Sequence, residues 1–168
     1  MERADIMEGD TIEKRIEKGN EYFQEGQYED AASEYERAAE LTSNDKELAE
    51  IYVKIGRCYW EICEYAETGF DDAGVYFELA YEKDPENENA IRALGEQYLH
   101  WKDDAACTYF EKLMDMDKAN DDDWEKLSLC YYRLGRFIDA ERVLDGCTAP
   151  GLWCGKYYMY MRRYEKVL

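Results

Sequence analysis

The chain has 168 residues, of which 40 are acidic and 21 basic, for a formal net charge of -19. Apolar residues make up 46% and aromatics 15%, which a disordered acidic tail would lack, and the length suits one ordinary domain or one short repeat array. The charge argues against a nucleic-acid or anionic-membrane partner, which needs concentrated Lys and Arg, and no segment reaches the roughly 18 unbroken apolar residues of a membrane span.

Residues 1–10 read as an N-terminal extension, and Met1-Glu2-Arg3-Ala4-Asp5 lacks the basic start and apolar core of a secretory signal. Apolar spacings of three and four predict helices over 11–25, 28–42, 46–66, 70–83, 86–101, 103–116, 121–134, 137–147 and 151–168. Asp10 with Glu13, and Asn44 with Glu47, have the spacing of an N-cap and a reaching carboxylate. Asp84-Pro85 reads as a cap before a proline at the first helical position. Asn120 reads as the cap of a helix opened by Asp121, Asp122 and Asp123, whose charges suit the positive helix end. The six cysteines, Cys58, Cys63, Cys107, Cys130, Cys147 and Cys154, form no C-x2-C pair. They are read as small buried hydrophobes with reduced thiols, which together with the missing export signal gives a cytoplasmic expectation. No metal or other cofactor is expected, since His100 is the single histidine.

One pattern recurs along these helices. Gly19 and Tyr22 are followed by Ala31, Tyr35 and Ala38. Gly56 and Tyr59 are followed by Ala73, Phe77, Ala80 and Pro85. Leu94, Gly95 and Tyr98 are followed by Ala106 and Phe110. Trp124, Leu127, Ser128 and Tyr131 are followed by Gly135, Phe137, Ala140 and Leu144. The step from Ala73 to Ala106 is 33 residues and from Ala106 to Ala140 is 34, but Ala31 to Ala73 is 42. Copy two therefore carries extra length around residues 60–68, as a longer turn or a helix that continues past its usual end. Small residues at Gly19, Gly56, Gly95 and Ser128 let two helices approach, and the large Tyr22, Tyr59, Tyr98 and Tyr131 fill the space between neighbouring helices. One helix pair cannot bury its apolar side alone, so the copies must stack.

These residues resemble the tetratricopeptide signature W-x2-L-G-x2-Y, then A-x3-F, then P, with a period of about 34 residues. The resemblance implies an all-α, right-handed α-solenoid of helix-turn-helix repeats. Four copies occupy 11–148, and 149–168 is a partial fifth repeat or terminal helix, in which Gly155 and Tyr158 repeat the small-residue-to-Tyr spacing. An irregular bundle with chance self-similarity is the alternative.

The resemblance further implies that the first helix of each pair lines a concave groove for a protein or peptide. The expected partner-binding residues are Asn20, Phe23, Lys54, Arg57, Trp60, Arg92, Glu96, Leu99, His100, Lys126, Tyr132 and Arg133. Phe23, Trp60, Leu99 and Tyr132 recur once per copy, and an aromatic row beside Arg is the usual make-up of a binding surface; the same row also reads as core shielded by neighbouring helices. Lys54, Arg57, Arg92, Lys126 and Arg133 read either as a basic centre or as ordinary solvated positions. The carboxylate clamp of chaperone-binding members needs Lys, Asn, Asn, Lys and Arg, but those positions fall on Ile16, Asn20, Lys54, Asn89 and Ala93, so the clamp is rejected. Neither a phosphate loop, H-E-x-x-H nor G-x-S-x-G is present, so catalysis is not expected. The main alternative role is structural: Leu152, Trp153, Tyr157, Tyr160 and Met161 sit on more than one helical face, giving a homodimer through residues 152–161. A helical domain appended to a larger chain is the third reading.

Overall fold

The computed structural model describes residues 11–66, 70–100 and 102–144. Among the described residues there are eight helices and no strand: α1 (Ile12–Gln24), α2 (Tyr28–Glu40), α3 (Asp45–Ala66), α4 (Phe70–Lys83), α5 (Glu88–Tyr98), α6 (Asp103–Asp115), α7 (Asp121–Arg133) and α8 (Phe137–Leu144). They form four consecutive helix pairs. The predicted ninth helix, 151–168, lies outside the described residues, as do Cys147 and Cys154. The chain divides into two compact units, one ending at Ala90 and one beginning at Ile91.

In the first unit α1 packs on α2, α2 on α3 and α3 on α4. Its core holds Ala31, Tyr35, Ala38, Ile51, Ile55 and Cys58, with Tyr22, Tyr59 and Tyr76 packed against them. A Cβ added to Gly19 would lie 2.5 Å from the Tyr35 ring, and one at Gly56 would meet Phe77 closer still. In both pairs of this unit the glycine of the first helix therefore receives the aromatic ring of its own second helix. The extra length in copy two extends α3, which runs 22 residues against 13 for α1. In the second unit α6 packs on α7 and α7 on α8. Gly95 faces Phe110, with a built Cβ 2.9 Å from that ring. Ser128 replaces glycine and is satisfied, its hydroxyl donating to the Ala140 carbonyl at 3.1 Å.

The helix ends correct two expectations. Thr11, not Asp10, caps α1: its hydroxyl accepts from the Lys14 amide at 3.3 Å. Asp84-Pro85 does not open α5. The Asp84 carboxylate accepts from the Glu86 amide at 3.1 Å and its carbonyl accepts from the Asn87 amide, closing a turn. Asn87 then caps α5 by accepting from the Ala90 amide at 2.9 Å. Asn44 caps α3 by accepting from the amides of Lys46 and Glu47, as expected, but the Glu47 carboxylate accepts from the Thr42 hydroxyl while the Asn44 amide donates to Thr42 Oγ1. Asn120 caps α7 as expected, and Asp123 completes a capping box with it. The α1–α2 and α7–α8 turns pass through Gly26 and Gly135 at φ 76 and 74, a left-handed backbone that glycine adopts without a Cβ clash.

Candidate partner-binding faces

The twelve expected residues are placed by α1 and α3 in the first unit, and by α5, the turn after it and α7 in the second. None is fully buried.

In the first unit the Asn20 side-chain carbonyl accepts from the Tyr35 hydroxyl at 2.8 Å and from Lys54 Nζ at 3.1 Å. Lys54 Nζ also lies 5.6 Å from the Tyr35 ring centre, and it has no carboxylate partner among the described residues. The Arg57 guanidinium sits 5.7 Å from the Phe77 ring centre, and the Trp60 ring tilts against Phe77 at 6.3 Å. Phe23 meets Tyr28 edge to face at 5.2 Å. Both sit between core and solvent. Val53, on the same helix as Lys54 and Arg57, is buried against Ala80 and Ala90 instead.

In the second unit the cations are engaged inside the chain. Arg92 Nε is 3.0 Å from both carboxylate oxygens of the fully buried Asp123, and an Arg92 terminal nitrogen donates to the Lys118 carbonyl at 3.2 Å. Lys126 pairs with Glu96 at 2.7 Å and with Asp122. Arg133 pairs with Asp103 at 3.1 Å and donates to the Leu99 carbonyl at 2.9 Å. Tyr132 meets Phe137 edge to face at 5.4 Å. Leu99 is half-buried and His100 exposed in the turn after α5. A basic centre of five free charges is therefore not what the side chains form: three of the five pair with a carboxylate on another helix. Arg92→Glu would set a carboxylate against buried Asp123 and disturb the fold before any partner.

Two linkages were not read from the sequence. A Lys two residues before the small position bonds the residue just after the small position of the preceding copy, once as Lys54 to Asn20 and once as Lys126 to Glu96. Buried Glu34 on α2 accepts from Arg15 at 2.6 Å, Lys18 at 2.9 Å and Arg37 at 2.9 Å. The sequence carried a signal for the second, since Arg15 and Lys18 occupy the Trp and Leu positions of the signature. Burial raises the Glu34 carboxyl, but the bonds from Arg15 and Lys18 outweigh it and hold its pKa below the usual carboxylate value. Cys58, Cys63, Cys107 and Cys130 are buried free thiols. Cys107 and Cys130 hydrogen-bond each other between α6 and α7, and that contact with burial pushes the Cys130 thiol up.

Residues 19–62 match the family model for the TPR repeat. Over 152 residues the chain is 26% identical to the peptidyl-prolyl cis-trans isomerase FKBP4 of Bos taurus, covering 86% of this chain and 33% of that protein. The chain thus spans about a third of the length of this curated relative. Among solved structures, a crystal structure of MamA shares the fold with a TM-score of 0.68 at 19% identity, covering 82% of this chain and 77% of MamA. MamA of AMB-1 gives a TM-score of 0.65 at 20% identity, over 91% and 90% of the two chains. MamA of MSR-1 gives 0.60 at 17% identity, over 86% and 77%. Residues 19–62 thus match a TPR repeat, and the described helix pairs share with these structures an all-α solenoid fold of helix-turn-helix repeats.

Proposed function

We propose that the chain is a protein-interaction scaffold, not itself catalytic, which binds a partner peptide or helix along the first helices of its repeats. Lys54 carries this reading. It is a half-buried cation held by a neutral amide and an aromatic ring, with no carboxylate partner among the described residues of a strongly acidic chain. An ammonium has three donors, and Asn20 takes one. Phe23, Arg57 and Trp60 extend the face with half-buried aromatic and cationic surface, the composition favoured at binding hot spots. In the second unit Glu96, Leu99, His100 and Tyr132 are the corresponding residues, while Arg92, Lys126 and Arg133 position the helices that carry them. A photo-reactive phenylalanine analogue in place of Trp60 should cross-link to the partner in cell extract, and mass spectrometry would identify it. Cross-links that form equally from exposed Glu29, on the second helix of its pair, would remove the first-helix face from the proposal.

A second reading is self-association through residues 152–161. It is favoured by Leu134, Phe137 and Ile138, exposed by 43%, 51% and 75% shortly before that stretch. Residues 152–161 themselves lie outside the described residues. Trp153→Glu with Tyr160→Glu should then shift the protein toward monomer in light scattering, and a monomer at high concentration before substitution would end this reading. The third reading, a helical domain within a larger chain, is favoured by the share of FKBP4 that the alignment spans. A cytoplasmic setting accompanies the scaffold reading; among the described residues no helix is long and apolar enough to cross a membrane.

A further inference from the structure

We propose that the outer face of the first helix pair, where Arg15, Lys18 and Arg37 converge on Glu34, docks an acidic segment of a partner protein. The charges set this cluster apart. In the other ion pairs that bridge two helices a cation has at least one carboxylate to itself: Arg92 meets Asp123, Lys83 meets Asp45, and Lys126 meets both Glu96 and Asp122. Around Glu34 three cations share one carboxylate. Lys18 and Arg37 both bond Oε1, and Arg15 bonds Oε2. Lys18 and Arg37 thus place two positive charges on one oxygen of Glu34, in a chain of formal net charge -19.

The position of the cluster departs from the repeat pattern. Arg15 and Lys18 lie four residues and one residue before Gly19. The same places before Gly56 hold Tyr52 and Ile55, before Gly95 Ile91 and Leu94, and before Ser128 Trp124 and Leu127. In the later copies these residues are buried or half-buried. A solvated end of a repeat array needs polar residues there, but it needs no excess of one sign. Lys18 and Arg37 have side chains 47% and 54% exposed, and each spends one donor on Oε1 of Glu34. An ammonium has three donors and a guanidinium five, so both present further donors to solvent beside each other. Carboxylates of an acidic peptide are the complementary ligand, and Glu34, buried beneath, fixes the two cations at that spacing. The overall negative charge repels acidic peptides elsewhere, so the cluster supplies specificity of place as well as attraction.

The test uses the full chain and a fluorescent oligoglutamate peptide, with binding read by anisotropy at low ionic strength. The chain should bind it, and affinity should fall with salt as the Debye length shortens to about 8 Å at physiological ionic strength. Lys18→Ser with Arg37→Ser should weaken binding by about tenfold or more. Arg37→Lys should restore most of it, and circular dichroism should stay unchanged because Arg15 still pairs with Glu34. No binding, or equal binding by the serine variant, would overturn the proposal. Anionic vesicles bound in preference to the peptide would overturn it as well. Loss of peptide binding in Lys54→Gln with Arg57→Gln, but not in the serine variant, would also refute it while leaving the first-helix reading standing.

Discussion

Phe77 is what requires glycine at position 56. Its ring is fully buried and lies where a Cβ at Gly56 would go, with the Ala73 carbonyl 3.2 Å from the same point. The ring has no solvent to move into. Gly56→Ala should therefore cost about 1–3 kcal/mol in a denaturant titration, the usual penalty for overfilling a packed core. Asp117 presents the opposite case. It follows α6 at φ 57, its amide donates to the Met114 carbonyl, and the Lys118 amide donates to the Leu113 carbonyl. The first and last helix pairs place Gly26 and Gly135 in comparable bonding. Asp117→Gly removes the left-handed strain and should raise stability by about 0.5–1 kcal/mol, less the entropy that glycine adds to the unfolded chain. A lowered midpoint would show that the Asp side chain earns its place by other contacts. Cys58 sets a pH dependence. Burial pushes its thiol from the ordinary 9.0 to about 12. Between these values the folded chain keeps a proton that the unfolded chain has lost, so stability is full below pH 9 and declines as pH rises toward 12. Cys58→Ala should flatten that decline in alkaline melts, and an unchanged slope would assign it to the buried tyrosines instead.

At the scale of helices, the pairing of Arg92 with Asp123 holds α5 to α7. Asp123 is fully buried, caps its own helix with Asn120, and takes both of its oxygens to Arg92 Nε. Asp123→Ala would leave a cation whose side chain is 17% exposed without that carboxylate, and should cost about 3–5 kcal/mol. A loss under 1 kcal/mol would mean that the pair contributes little beyond the cap. This contact also marks what a sequence can disclose. The small-residue-to-Tyr spacing places four helix pairs because the helical period fixes which residues share a face, and the 42-residue step in copy two marked extra length as a turn or a helix, which α3 takes up. Asn120 and Asn44 could be assigned as caps because a cap bonds within its own turn. Asp84-Pro85 was misleading because Asn87, three residues on, offered the closer acceptor for the first amides of α5. Arg92 and Asp123, 31 residues apart, are joined only by the packing of two helices, so no local spacing displays the bond. Lys126 with Glu96 is hidden in the same way, which is why residues expected on a binding face prove to be holding helices together.

Across the whole molecule, negative charge is spread over helix surfaces, and cations are mostly consumed in ion pairs between and along helices. Among the described residues Lys46, Lys102 and Lys118 are exposed without an ion pair, whereas Lys54 is half-buried without one; Lys54 and the cluster at Glu34 both belong to the unit that ends at Ala90. Each of the first three pairs adds a first helix whose half-buried residues can be varied without altering the glycine-to-aromatic contact that holds the pair. The most direct test is a calorimetric titration of the purified, cross-link-identified partner into the chain and into Lys54→Gln with Trp60→Ala. Glutamine retains an amide donor on a shorter side chain and removes the charge. The account predicts an affinity lower by about tenfold or more, with the same helicity and a comparable melting temperature. Equal affinity in a folded variant would contradict it.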